Sequence, residues 1–297
     1  MRKTCNSQPG FLSVLSGSME QTPDQKLLEA AENGSVDDIL ACLGEGASPN
    51  AARGDKFSAL HMAACRNAPD IVQTLLDHGG DPNVYDIDFS TPLYLAAGDG
   101  FSEVVKTLLA GKANPIATTL DNETPLHIAA AKGHTDTIKA LLAGGALVNM
   151  MDSDRENPLF KAVMGKKPAA VSLLLGNGAL SSIRNAYGNT PLLLANNTEI
   201  VRILLEHGVS PDDADEGKNT PLYLAMDKRN LEIAELLIEY GADIRAENIH
   251  GSTPLITWPE LENIKARIDA AKTRHPLADH HARMRAFAAH LPSAPRL

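Results

Sequence analysis

Cysteine is scarce in this sequence, with three in 297 residues. The count is odd, and the spacing of Cys5, Cys42 and Cys65 fits neither a metal site nor a disulfide framework. Such usage belongs to a reducing compartment, so a cytoplasmic location is expected. Long apolar runs are missing too: none approaches the ~20 residues that a membrane span needs, and no membrane partner is expected. Met1-Arg2-Lys3 followed by Phe11-Leu12-Ser13-Val14-Leu15 imitates a signal peptide, but its apolar part is short and broken by serine. Positive charge is in deficit: 27 Lys and Arg face 37 Asp and Glu, a net charge of −10. Phosphate neutralisation needs clustered Lys and Arg, so nucleic acid is disfavoured as a partner. There is no phosphate-binding glycine loop, no metalloprotease helix signature and no nucleophile elbow. No enzymatic activity, cofactor, metal or small-molecule substrate is therefore expected.

What is present is a repeat. Leu27, Leu60, Leu93, Leu126, Leu159, Leu192, Leu222 and Leu255 are separated by 33 residues throughout, except for one interval of 30. A fixed period of this size marks a stacked solenoid. Two positions before each leucine from the second onward stands an N-cap type: Ser58, Thr91, Thr124, Asn157, Thr190, Thr220 or Thr253. Proline follows it in every copy but one, where Ala59 stands, and proline suits the first helical position. Three residues after the leucine comes alanine, as at Ala63, Ala96 and Ala129, which allows close approach of neighbouring helices. A second helix such as Glu103–Leu109 then ends on glycine in most copies, with Lys112 the exception.

Thr124-Pro125-Leu126-His127-Ile128-Ala129-Ala130 and its copies resemble the ankyrin repeat over residues 24–258. The resemblance implies an all-α solenoid of helix-turn-helix units with β-turn fingers. It also implies protein–protein binding without catalysis. In that family the motif histidine joins hydrogen bonds within and between repeats. Here it is kept only at His61 and His127; Tyr94, Phe160, Leu193, Tyr223 and Ile256 replace it, so apolar packing is expected at those places.

Taken in order, residues 1–23 read as a disordered leader, with Met19 an alternative start. Residues 24–258 make about seven to eight repeats, the first and last acting as caps. The repeat beginning at Thr190 is three residues short, which predicts a truncated first helix and a notch near Asn196. Trp258 stands where alanine is needed and Pro259 follows, so the regular array stops there. Residues 259–297 form a degenerate helical C-terminal cap or tail, with one helix over 259–272 and another over 277–290. The tail is basic, with seven Lys and Arg to four Asp and Glu, whereas residues 24–258 have eighteen to thirty-two.

Finger tips and the inner helix face are the expected contact surface for another protein. On the tips the candidates are Phe89, Lys56, Phe57, Arg155 and Tyr187, Phe89 first because exposed aromatics are enriched at binding hot spots. On the inner face they are Arg66, Asp99, Lys132, Met164, Asp227 and Lys228, with Cys65 beside them. A second reading is an adaptor, or an effector secreted into a host cell, whose repeats select a host protein while leader or tail recruits other machinery. His61 and Cys65 share a helix face at thiol–imidazole spacing, but no third orienting group accompanies them. The acidic run Asp212–Glu216 lacks the calcium-loop pattern and reads as a solvated hairpin. His275, His280, His281 and His290 lack zinc-finger spacing and read as a surface helix.

Overall fold

The structure is a computed structural model that describes residues 21–274. Of the leader expected over residues 1–23, residues 1–20 lie outside the described residues, as do the helix expected over 277–290 and the tail histidines; Thr22 and Pro23, expected in the leader, cap and begin the first helix instead. Sixteen helices and no strands occur among the described residues; the one extended pairing is an isolated bridge between Ala52 and Ser58. The chain divides into two compact units, one through Ala179 and one from Leu180.

Unit 1 holds α1 (Pro23–Asn33), α2 (Val36–Gly44), α3 (Ala59–Cys65), α4 (Pro69–Asp77), α5 (Pro92–Asp99), α6 (Ser102–Ala110), α7 (Pro125–Lys132), α8 (Thr135–Ala143), α9 (Pro158–Met164) and α10 (Pro168–Gly176). Each first helix packs on the next first helix, α1 on α3 through to α7 on α9, and the second helices form a parallel layer behind them. Unit 2 holds α11 (Pro191–Leu194), α12 (Thr198–Glu206), α13 (Pro221–Asp227), α14 (Leu231–Glu239), α15 (Pro254–Thr257) and α16 (Leu261–Arg274), layered in the same way.

The caps explain where the first helices begin. Ser58, Thr91, Asn157, Thr190, Thr220 and Thr253 each accept, through the side chain, the backbone N–H three residues on. The repeating leucines from Leu27 to Leu222 are essentially sealed from water, as are Ala63, Ala96, Ala129 and Ala162. Leu255 is only half-buried, because α15 stops after four residues. There Trp258 caps the helix and donates its backbone N–H to the Pro254 carbonyl at 2.8 Å. The helix expected over 259–272 runs instead over Leu261–Arg274, since residues 259–260 form a turn. Leu261 is fully buried, and α16 packs on α14 as the second helix of a last pair. Arg267 pairs with Glu235 across that contact.

Candidate protein-interaction site

From the second pair onward each pair is preceded by a hairpin, and the hairpins are built on side-chain caps. In residues 80–91, Asp86 Oδ1 accepts the N–H groups of Asp88 at 2.9 Å and Ser90 at 2.8 Å. Asp152 does the same for Asp154 and Glu156, Asn185 for Tyr187 and Asn189, and Asn248 for His250 and Ser252. These bonds hold the tip residue in the left-handed region, where glycine is the favoured residue. Gly188 and Gly251 fill it with φ of 76° and 71°. Elsewhere Lys56, Phe89, Asn122, Arg155 and Lys218 fill it with φ between 55° and 60°. For a bulky side chain this is a strained backbone.

Phe89 is 49% exposed at its tip, its ring 6.0 Å from that of Tyr85 in the same hairpin. Lys56 and Arg155 are exposed, and Tyr187 is 67% exposed. Phe57 lies half-buried, stacked on the His61 ring at 5.0 Å. Large apolar side chains that the sequence reading passed over share these hairpins: Tyr85, Ile87, Leu120 and Met151 are all exposed. Their signal was available as bulky residues in loops between well-defined caps.

The inner-face candidates stand at the C-terminal ends of the first helices. Arg66, Lys132, Met164, Asp227 and Lys228 are exposed; Asp99 is half-buried, and burial pushes its carboxyl up against the opposing pull of His134 and Lys132. Arg66, Asp99 and Lys132 occupy one register, 33 residues apart. The short repeat does leave a depression, of about 30 Å³, lined by Asn196, Leu192, Leu224 and Lys228 among others. That volume suits a water molecule, not a ligand, since ligand pockets run to roughly 300 Å³ or more.

Behind the hairpins of unit 1 lies a polar seam. In His61 and His127, Nδ1 accepts the backbone N–H of Ser58 or Thr124 at 3.1 Å, with the hydroxyl of the same residue 2.8 Å away. Nε2 therefore carries the proton and donates to the next repeat, to the Ser90 and Glu156 carbonyls, each at 3.0 Å. Burial lowers both imidazole pKa values; a second proton on Nδ1 would also face the backbone N–H of Ser58 or Thr124. Tyr94 keeps the role by another route, its hydroxyl donating to Glu123 at 3.0 Å. Only Phe160, fully buried, matches the expected apolar substitution in this unit.

Lys161 was not foreseen. Its ammonium sits 2.5 Å from Asp152, 2.9 Å from Glu156 and 3.5 Å from Glu123, all nearly buried. Burial pulls its pKa down, but the hydrogen bonds and charges of Asp152 and Glu156 outweigh that and raise it. The clue was a lysine in a column that the other internal repeats fill with Met62, Leu95, Ile128, Leu194 and Leu224, polar residues otherwise standing there only in the first and last copies, at Glu29 and Thr257. Asp152, Asp154 and Glu156 gather closely enough to hold a cation, and the Lys161 ammonium already pairs with two of them. Catalysis by His61 and Cys65 has no geometry to support it. Both imidazole nitrogens are engaged, Nδ1 by Ser58 and Nε2 by the Ser90 carbonyl. Cys42 is a buried free thiol. Among the described residues no helix is long and apolar enough to cross a membrane.

The family model described as "Ankyrin repeats (3 copies)" matches residues 27–119, 111–185 and 166–248. An ankyrin repeat protein of Rickettsia felis is 36% identical over 73 residues, covering 23% of this chain and 32% of that protein. An ankyrin repeat-containing protein of Schizosaccharomyces pombe is 35% identical over 65 residues, covering 22% and 31%. The chain thus spans about a third of the length of these relatives. Among solved structures, the human ASB11 ankyrin repeat domain superposes with a TM-score of 0.65 at 24% identity, covering 73% of this chain and 98% of that one. The ankyrin repeat domain of Bcl-3 gives 0.62 at 28% identity, covering 66% and 91%. With the period, the caps, the layered helix pairs and these matches together, the chain belongs to the ankyrin repeat family.

Proposed function

We propose that the chain is a protein-recognition scaffold. Its contact surface comprises the hairpin tips and the exposed C-terminal ends of the first helices, with the hairpins of unit 1 as the principal site. One observation carries the reading: Tyr85, Ile87, Phe89, Leu120 and Met151 stand exposed on successive hairpins of unit 1. Exposed apolar side chains gathered in one region mark an interaction site more often than scattered ones do. Phe89 adds a second mark, because a strained backbone holding an aromatic ring in water gains nothing for the fold.

The test is affinity capture by the full chain and by its Phe89→Ala/Leu120→Ala variant. A partner retained by the native chain and lost by the variant, with an unchanged circular dichroism melt, supports the reading. Equal capture by both overturns the hairpin site. An adaptor or secreted effector would use the same surface and depend in addition on residues 1–20 and 275–297. Their removal leaves capture intact under the plain scaffold reading and abolishes recruitment or export under the other.

A further inference from the structure

We propose that the segment docking on the hairpins of unit 1 combines apolar side chains with Lys or Arg. This rests on the docking reading above and names the partner's chemistry. Asp55, Asp88, Asp121 and Asp154 occupy one register of four successive hairpins, each just before the left-handed tip residue. Asp88, Asp121 and Asp154 are exposed. The two middle hairpins, residues 80–91 and 113–124, contain no Lys or Arg at all, and they also hold Asp81, Asp86 and Glu123.

The buried layer beneath has the same sign. Three carboxylates, those of Glu123, Asp152 and Glu156, lie at the Lys161 ammonium. Charges held in a low-dielectric base are weakly screened and strengthen the negative potential over the tips. Lys56 and Arg155 mark the two ends of the acidic row. Ile87, Phe89 and Leu120 stand between and beside the aspartates, offering apolar contact inside an acidic frame. A segment with hydrophobic anchors and flanking cations satisfies both features; an acidic segment meets repulsion. In unit 2 the aspartate register reads Tyr187, Gly217 and His250, and the frame is gone.

Fluorescence anisotropy of the full chain with three synthetic peptides of about 16 residues tests this. The first carries Leu and Phe on one helical face and Arg on the other. The second replaces Arg by Glu, and the third replaces Leu and Phe by Ser. The first is expected to bind at least about tenfold more tightly than either control and to weaken with added salt. Asp88→Asn/Asp121→Asn/Asp154→Asn is expected to lower that affinity by about tenfold. Asp37→Asn/Asp70→Asn/Asp77→Asn removes as much charge from the exposed second helices and is expected to change it by less than about twofold. Melting curves confirm that both triple variants fold.

Equal weakening by the two triple variants overturns the proposal, as does equal binding of the Glu peptide or no binding of any peptide. If the Glu peptide binds and Phe89→Ala/Leu120→Ala abolishes it, the hairpins remain a docking site and only the partner's charge is wrong.

Discussion

Unit 1 ties its first helices together with polar side chains, whereas unit 2 brings rings and aliphatic groups to the same positions. The motif column reads His61, Tyr94, His127 and Phe160 in unit 1, and three of the four reach the next repeat by a hydrogen bond. In unit 2 it reads Leu193, Tyr223 and Ile256, and Tyr223 meets Trp258 edge to face at 5.2 Å. Unit 2 is also the one with shortened first helices, four residues each in α11 and α15. One period therefore accommodates two ways of joining neighbours. Hydrogen bonds fix register at high cost if broken; apolar contacts tolerate truncation.

Lys161 offers the strongest way to break that contrast. Lys161→Met leaves three nearly buried carboxylates without their cation and is expected to destabilise by about 3–5 kcal/mol at neutral pH. Leu194→Met, at the matching position of unit 2, is expected to cost less than about 1.5 kcal/mol. Urea midpoints compare the two. In the native chain the folded Lys161 pKa is raised, so its contribution is complete below the unfolded value near pH 10.5 and declines as pH rises beyond it.

Gly165 comes next. A Cβ there would stand 2.2 Å from the Ala131 carbonyl oxygen, and backbone cannot swing aside as a side chain can. Gly165→Ala is expected to cost about 3 kcal/mol. The matching helix end in unit 2 is Lys228, exposed at the cap of α13, and Lys228→Ala should stay within about 0.5 kcal/mol. Ala129→Leu overpacks the fully buried contact of α7 with its neighbours and is expected to cost about 2 kcal/mol. Ala195→Leu, half-buried after the early end of α11, should cost under about 1 kcal/mol.

The imidazoles separate the units by pH. Both folded-state pKa values lie below the ordinary value of 6.5, so the unfolded chain takes up protons first as pH falls. Stability is whole above pH 6.5 and declines below it, by at most about 1.4 kcal/mol per pH unit for each imidazole. His61→Phe/His127→Phe, which repeats the buried Phe160 at both positions, should flatten that decline between pH 7 and 5 in thermal melts.

The stacking was legible because it depends on short-range chemistry: N-cap, proline, leucine and alanine at fixed offsets place every first helix within a residue or two. The early end at Trp258 was legible for the same reason. Side-chain placement was not. Whether Tyr94 would bond or pack depended on Glu123, 29 residues away, and the role of Lys161 depended on three acids from two hairpins that converge on it. Asn50 and Asn83 likewise join neighbouring repeats through backbone groups 29 to 31 residues on, which period alone does not reveal.

The smallest expected effect concerns the tips, where the units differ most in chemistry and least in backbone. Phe89 and Gly188 occupy the same left-handed position, with φ of 57° and 76°. Removing the side chain at Phe89 relieves a conformation that costs an L-residue about 1–2 kcal/mol, while the freed glycine gains unfolded-state entropy that takes back about half. Phe89→Gly should therefore stabilise by about 0.5 kcal/mol in urea denaturation. Gly188→Ala should do the reverse, by about 1 kcal/mol, since its Cβ meets only the flexible Glu216 side chain and backbone strain is the main term. A gain at Phe89 accompanied by loss of the captured partner would mean that the ring is kept for binding at the expense of the fold. A loss of stability would mean that the 6.0 Å contact with Tyr85 outweighs the strain, and that the aromatic tip belongs to the packing of its own hairpin.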